Sequence, residues 1–208
     1  MSRRPTGLVR FVDDDEAVRR SVGSLMRSAG FEVELFASAQ EFLDAPPTKA
    51  PCCAILDVRL PGLNGLECQR RLTARNDGVP VIFLTGHGDI SISVRAMKSG
   101  AFEFLTKPFQ DDELIDAVRL AIERDRQERS ARAETNALRE RFDVLTPRER
   151  EVMAWVISGL PNRRIAHELG TSEITVKVHR GNVMRKMEAA SVPSLLRMAD
   201  ALGIKAKP

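Results

Sequence analysis

Asp57 closes a short apolar run, Ala54-Ile55-Leu56, and is followed by Val58-Arg59-Leu60-Pro61-Gly62. An apolar run of that length, bounded by a Pro-Gly loop, predicts a buried parallel strand that delivers one carboxylate to its carboxyl edge. Open α/β sheets place their sites along that edge, where a carboxylate is exposed enough to attack a phosphoryl group yet held by rigid structure. Four other groups follow the same pattern: Asp13 and Asp14 after residues 8–12, Thr85 after residues 79–84, and Lys107 after residues 102–105. Three carboxylates brought together repel one another and call for a cation. Mg2+ suits them, because it takes oxygen ligands and bridges to phosphate; Asp13, Asp14, Asp57 and the backbone carbonyl of Arg59 are the expected ligands. Lys107 then neutralises the phosphoryl charge, Thr85 hydrogen-bonds to it, and Asp57 is the nucleophile. Taken singly, each residue also has a plainer use: acids favour helix amino termini, threonine caps helices, and lysine is solvated.

The elements that must position these groups alternate in type. Residues 8–12, 31–36, 52–56, 79–84 and 102–105 are β-prone, and helices are expected between them. Residues 16–29 carry Val18, Val22, Leu25 and Met26 at helical spacing and stop at Gly30. A short helix with Phe42 and Leu43 inward ends at Pro46-Pro47, residues 64–75 carry Leu66, Cys68 and Leu72, and Ile90, Val94 and Met97 mark a helix closed by Gly100. Five strand-helix units of this length predict a doubly wound, five-stranded parallel sheet, since each parallel crossover needs a covering helix. The fifth helix starts near Asp111, with Leu114, Val118 and Ile122 on one face.

Beyond Ile122 the apolar pattern gives way to charge. Pairs at i,i+4, Asp125 with Arg129 and Glu128 with Arg132, predict an exposed helical linker over residues 123–143. Ala131, Leu138 and Phe142 offer a thin seam for the alternative, a coiled coil. The expected organisation is therefore residues 1–122, a linker over 123–143, and a second domain over 144–208.

That second domain is all-α and built of four helices. Thr146-Pro147-Arg148-Glu149 combines a capping hydroxyl, a proline at the first helical position and a glutamate three residues after the cap. A second helix starts at Pro161-Asn162, Gly170-Thr171 makes a tight turn, and Ser172 caps a third helix at helix-turn-helix spacing. On that third helix Val176, Val183 and Met187 face inward, while Lys177, Val178, Gly181 and Arg185 lie opposite, with Arg180, Asn182 and Lys186 at the flanks. Ser191 caps a last helix. From residue 144 onward there are 11 Lys or Arg against 6 Asp or Glu, whereas the rest of the chain holds 21 against 23. A basic tail domain on a slightly acidic front half points to a polyanion partner, although a solvated basic face has the same composition.

Composition closes off other classes. With 43% hydrophobic and 29% charged residues, the 208-residue chain is of ordinary globular make-up. No apolar run reaches membrane-spanning length, and the basic amino terminus lacks the apolar core of a secretory signal, so a cytoplasmic protein is expected, with no membrane partner. Cys52, Cys53 and Cys68 are read as packing residues, since three cysteines without His at ligand spacing make neither a zinc site nor a disulfide framework.

Val12-Asp13-Asp14-Asp15, Leu56-Asp57, Leu84-Thr85-Gly86 and Lys107-Pro108-Phe109 resemble the receiver domain of two-component response regulators. Leu145-Thr-Pro-Arg-Glu-Arg-Glu and Thr175-Val-Lys-Val-His-Arg resemble the LuxR-type output domain, and Thr85-Gly86-His87-Gly88-Asp89 is most similar to the FixJ-type branch. The resemblance implies that a sensor histidine kinase phosphorylates Asp57 and that the phosphorylated protein, as a homodimer, controls transcription at promoter DNA together with RNA polymerase. It also implies a switch in which Thr85 turns toward the phosphoryl group and Phe104 reorients inward, Phe104 lacking the hydroxyl that many relatives carry as Tyr. In the output domain the expected DNA contacts are Thr175, Lys177, Val178, His179, Arg180, Asn182 and Lys186: lysine for guanine edges, valine for a thymine methyl, the others for phosphates or bases. Two rivals remain. An aspartate-based phosphatase would place a second Asp two residues after the nucleophile, where this chain has Arg59, and a regulator indifferent to phosphorylation would have no use for the complete acidic set. The protein is expected to catalyse only its own phosphoryl transfer and dephosphorylation.

Overall fold

The computed structural model describes residues 7–75, 77–86 and 90–207, with the side chains of residues 90–92 left aside. His87, Gly88 and Asp89 of the loop signature and the basic amino-terminal segment over residues 1–6 lie outside the described residues. The chain divides into two compact units, Met1–Arg129 and Ser130–Pro208.

In the first unit, β1 (Leu8–Val12), β2 (Glu32–Phe36), β3 (Cys52–Asp57), β4 (Val81–Thr85) and β5 (Glu103–Thr106) form one sheet in the order β2-β1-β3-β4-β5, with every pairing parallel. The central strands are buried on both faces, so their apolar residues run without interruption. Successive side chains alternate between two cores. Val9, Phe11, Cys53, Ile55, Ile82 and Leu84 meet one set of helices, and Val12, Ala54, Leu56, Val81 and Phe83 meet the other. Helix α1 (Glu16–Ser28) supplies Val22 and Met26 to the first core, and α5 (Asp111–Asp143) supplies Leu114, Val118 and Ile122. Helices α2 (Ala39–Asp44), α3 (Gly65–Ala74) and α4 (Ile90–Lys98) supply Phe42, Leu43, Cys68, Leu72 and Ala96 to the second. Asp15, Ser38 and Asn64 cap α1, α2 and α3 through their side-chain oxygens.

Helix α5 runs over Asp111–Asp143, 33 residues without a break. The Asp125–Arg129 pair expected on an exposed linker is instead inside the first unit, with Asp125 only 2% exposed. Its Oδ2 accepts a 2.8 Å hydrogen bond from the Cys52 backbone N–H at the start of β3 and a 2.6 Å bond from Arg129 Nε, and Arg129 also donates to the Thr48 carbonyl at 3.0 Å. The first N–H of a central strand needs an acceptor where no preceding ladder supplies one, and Asp125 provides it. That is why the compact unit extends past residue 122 to Arg129.

In the second unit α6 (Pro147–Ile157), α7 (Asn162–Glu168), α8 (Glu173–Lys186) and α9 (Val192–Ala201) surround a core of Leu145, Val152, Met153, Val156, Ile165, Val176, Val183, Met187 and Leu195. The capping box forms as the sequence requires: Glu149 N–H donates to Thr146 Oγ1 at 3.2 Å, and Thr146 N–H donates to Glu149 Oε2 at 2.9 Å. Gly170, at φ +59°, makes the left-handed turn between α7 and α8, a conformation that glycine takes without penalty.

Candidate phosphoacceptor site and nucleic-acid interface

Strand register brings the acids together. Val12 of β1 pairs with Leu56 of β3, so the next residues, Asp13 and Asp57, leave the sheet side by side. Lys107 follows β5, and its backbone N–H donates to the Thr85 carbonyl at 2.7 Å, fixing it one strand away. Its ammonium bridges the two acids, 2.7 Å from Asp13 Oδ2 and 2.8 Å from Asp57 Oδ2. The remaining carboxylate oxygens are oriented by backbone: Asp13 Oδ1 accepts from Asp15 N–H at 2.9 Å, and Asp57 Oδ1 accepts from Arg59 N–H at 2.9 Å. Arg19 on α1 donates to the Asp13 carbonyl at 2.6 Å and steadies the loop.

Burial and charge pull against each other here. Asp13 is 1% exposed; burial pushes its carboxyl above the usual range, and the Lys107 and Asp15 donors offset that only in part. For Lys107 burial disfavours the ammonium, but the hydrogen bonds to Asp13 and Asp57 outweigh it and leave the group above its ordinary value. The site therefore holds a firmly charged lysine between two acids, one of them strained by desolvation. Thr85 ends β4 and is buried, Phe104 is half-buried with its ring centroid 6.4 Å from that of Phe83, and Arg59 is exposed.

Lys107 joins Asp13 and Asp57, while Asp14 is exposed beside them in a cleft that Val58 and Arg59 also line; among the described residues no three His, Cys, Asp or Glu side chains are gathered as a metal cage. The donor set nevertheless fits a hard divalent ion: oxygens only, with a desolvated carboxylate in need of further positive charge.

Gly65 was missed in the sequence, where it looked like an ordinary first turn of α3. A Cβ built on it would stand 2.3 Å from the Asp57 carbonyl, so only glycine lets α3 approach the strand end that carries Asp57.

In the second unit Lys177 and Val178 are exposed on α8. Thr175 Oγ1 pairs with Ser172 Oγ at 2.8 Å inside the helix cap, and Arg180 reaches Asn162 Oδ1 at 3.0 Å, tying α8 to α7. Asn182 accepts from Arg185 at 3.3 Å, and His179 is half-buried with Nδ1 unpartnered. Lys186, also expected among the DNA contacts, is paired within the unit: its ammonium lies 2.6 Å from Glu149 Oε2 and 3.3 Å from the Val144 carbonyl. Glu149 is 3% exposed; burial pushes its carboxyl up, but Lys186 and Thr146 outweigh that and hold it below the ordinary value. A buried carboxylate claims the nearest cation, so Lys186 has a structural task.

Comparison with known proteins gives both halves the same reading. Residues 9–119 match the response regulator receiver domain, and residues 143–199 match the bacterial regulatory proteins of the luxR family. This chain is a two-component response regulator. It is 51% identical to nodulation protein W of Bradyrhizobium diazoefficiens over 96% of this chain and 88% of that one. The structure of the response regulator StyR matches 93% of this chain and 98% of its own at 45% identity and a TM-score of 0.87. Full-length FixJ from B. japonicum matches 96% and 98% at 43% identity and a TM-score of 0.59. The response regulator thus couples a flavodoxin-like receiver, which implies a histidine kinase partner, to a LuxR-type DNA-binding domain that regulates transcription. No helix among the described residues is long and apolar enough to cross a membrane.

Proposed function

We propose that Asp57 is the phosphoacceptor and that Lys107 is the group that senses its state. The observation that carries this is the single ammonium held within hydrogen-bonding distance of both Asp13 and Asp57. A carboxylate oxygen of Asp57 attacks the phosphorus of a phosphohistidine or a small acyl phosphate, the bond from phosphorus to the donor breaks, and the leaving group departs with the electron pair. The new phosphoryl group carries more charge than the carboxylate it replaces, so Lys107 is drawn toward it, and the Thr85 hydroxyl at the next strand end is placed to follow. Asp13, Asp57 and the Arg59 carbonyl would hold Mg2+, with Asp14 at the rim, and the ion would supply the positive charge that two adjacent acids and an incoming phosphoryl group require. Hydrolysis of the acyl phosphate at the same site returns the protein to its resting state. An aspartate phosphatase is disfavoured because the position for its acid is taken by Arg59, whose N–H serves only to orient Asp57.

For the output unit we infer that α8 enters the major groove with Lys177 and Val178 toward the bases, while Thr175, His179, Arg180 and Asn182 line the backbone-facing edges. Two such units pair on a two-half-site promoter and act on RNA polymerase, in the cytoplasm where that DNA lies. The domain limits supported by this reading are a receiver that needs α5 through Arg129, a short helical link, and the output unit from about residue 144. The decisive experiment incubates wild type and Asp57→Asn with acetyl phosphate, with and without Mg2+, and follows phosphoprotein formation by mass and promoter binding by gel shift. Label on wild type alone, dependent on the ion and accompanied by tighter binding, supports the assignment; equal label on Asp57→Asn overturns it.

A further inference from the structure

Among the described residues the most exposed large apolar side chain is Ile174, at 77%, and Val178 one turn later is 58% exposed. Both lie on α8, Ile174 in its first turn behind the Ser172 cap. Their spacing of four puts them on one face, directly opposite the stripe of Val176, Val183 and Met187 that is buried in the core. Gly181 continues the exposed face, and a Cβ there would meet nothing within 4 Å. The face is therefore a shallow apolar ridge at the amino-terminal end of the helix, falling away into a gap, with Lys177 beside it and Arg185 at its far end.

Isolated apolar residues on a surface need no explanation, but two in register on the exposed face of the second helix of a helix-turn-helix do. The first residues of that helix are the ones that reach base edges. The apolar feature that a base edge offers in the major groove is the thymine 5-methyl group. The cations on this face favour a nucleic-acid partner: Lys177 and Arg185 border the ridge with charge complementary to phosphate, outnumbering the one acid beside it, Glu173.

We propose that Ile174 is a specificity-determining residue, and that Ile174 and Val178 together read the methyl groups of neighbouring thymines in each half-site. This rests on the DNA-binding role given above for α8, and it adds a base-reading residue one turn ahead of Lys177. Lys177 holds the helix to the groove for many sequences, whereas the ridge selects thymine over cytosine and over uracil. The gap at Gly181 leaves the next base step unread, so the half-site tolerates variation there.

The test separates the methyl group from every other property of the base. Full-length protein treated with acetyl phosphate is used to select duplexes from a randomised pool, and each thymine of the enriched sequence is then replaced singly by deoxyuridine, which removes one methyl and leaves pairing intact. Two positions per half-site should each weaken binding about fourfold, the worth of one buried methylene-sized group. In Ile174→Ala the penalty should vanish at one of these positions, and in Val178→Ala at the other. Lys177→Ala should bind every duplex more weakly while keeping both penalties. Ile174 is solvent-exposed, so its truncation leaves the core intact, which circular dichroism and melting confirm. Tight selection with no uracil penalty, or a penalty unchanged in Ile174→Ala, overturns the methyl reading but leaves DNA binding standing. A pool that yields no enriched sequence overturns DNA recognition by α8 and this inference with it.

Discussion

The receiver and the output unit build their sites in opposite ways. In the receiver, Asp13, Asp57, Thr85 and Lys107 come from the ends of four strands spread across the sequence, and they are buried or half-buried and bonded to one another. In the output unit the candidate contacts come from one helix, within a few turns, and several stand free in solvent. Groups that share hydrogen bonds are coupled, so removing one changes the others; groups that point separately into solvent contribute nearly independently. The receiver can thus register a single chemical event as a change of state, and the output helix can exchange one residue and alter one base preference.

That contrast can be broken or sharpened by substitution. The largest effect is expected of Asp57→Asn, which should abolish phosphoprotein formation and with it any phosphodonor-dependent gain in promoter binding, scored by mass spectrometry and gel shift. Next is Lys186→Ala, which leaves the buried Glu149 without its counter-charge and with only the Thr146 N–H as donor; loss of one partner of a fully buried pair costs about 3 to 5 kcal/mol, and less is expected where, as here, the lysine is part-exposed. Urea unfolding of the full chain should show the output transition shifted while phosphorylation persists, and an unchanged transition would refute the structural role given to Lys186. Lys177→Ala should weaken promoter binding by about 1 to 3 kcal/mol without loss of stability, read from titrations at fixed salt. Smaller again is an effect of pH. The Glu149 carboxyl is held low in the folded state, so its contribution is complete above the ordinary carboxylate range and is lost as pH falls through the folded value. Acid should therefore destabilise the output unit of wild type more than that of Glu149→Gln, as followed by Trp155 fluorescence, the single tryptophan of the chain.

Much of this was legible in the residues themselves. Each central strand is an apolar run that stops at a polar group, and that punctuation marks both the strand and the edge where chemistry sits, so the strands and Asp13, Asp57, Thr85 and Lys107 could be placed. The capping box at Thr146 is equally local. What escaped were facts set by distant partners. Asp125 sits in a charge run and looks solvated, and only the open N–H of Cys52, 73 residues earlier, makes it a buried acceptor. The pairing of Lys186 with Glu149, 37 residues away, shows nowhere in the local sequence. Gly65 shows nothing in sequence, because its role is the carbonyl it approaches. The exposure of Ile174 shows only once the core that buries Val176, Val183 and Met187 is in place.

The three cysteines give the molecule one further property. Cys52, Cys53 and Cys68 are buried, and burial pushes the thiol of Cys52 up to about 11, that of Cys53 well above its ordinary value and that of Cys68 up to about 12. Thiolates are the reactive form, so at neutral pH the folded chain has almost no thiolate to offer a maleimide. A cysteine introduced on the outer face of α8 would then be the one site that takes a dye, and its fluorescence would report on the recognition helix in the otherwise unaltered protein.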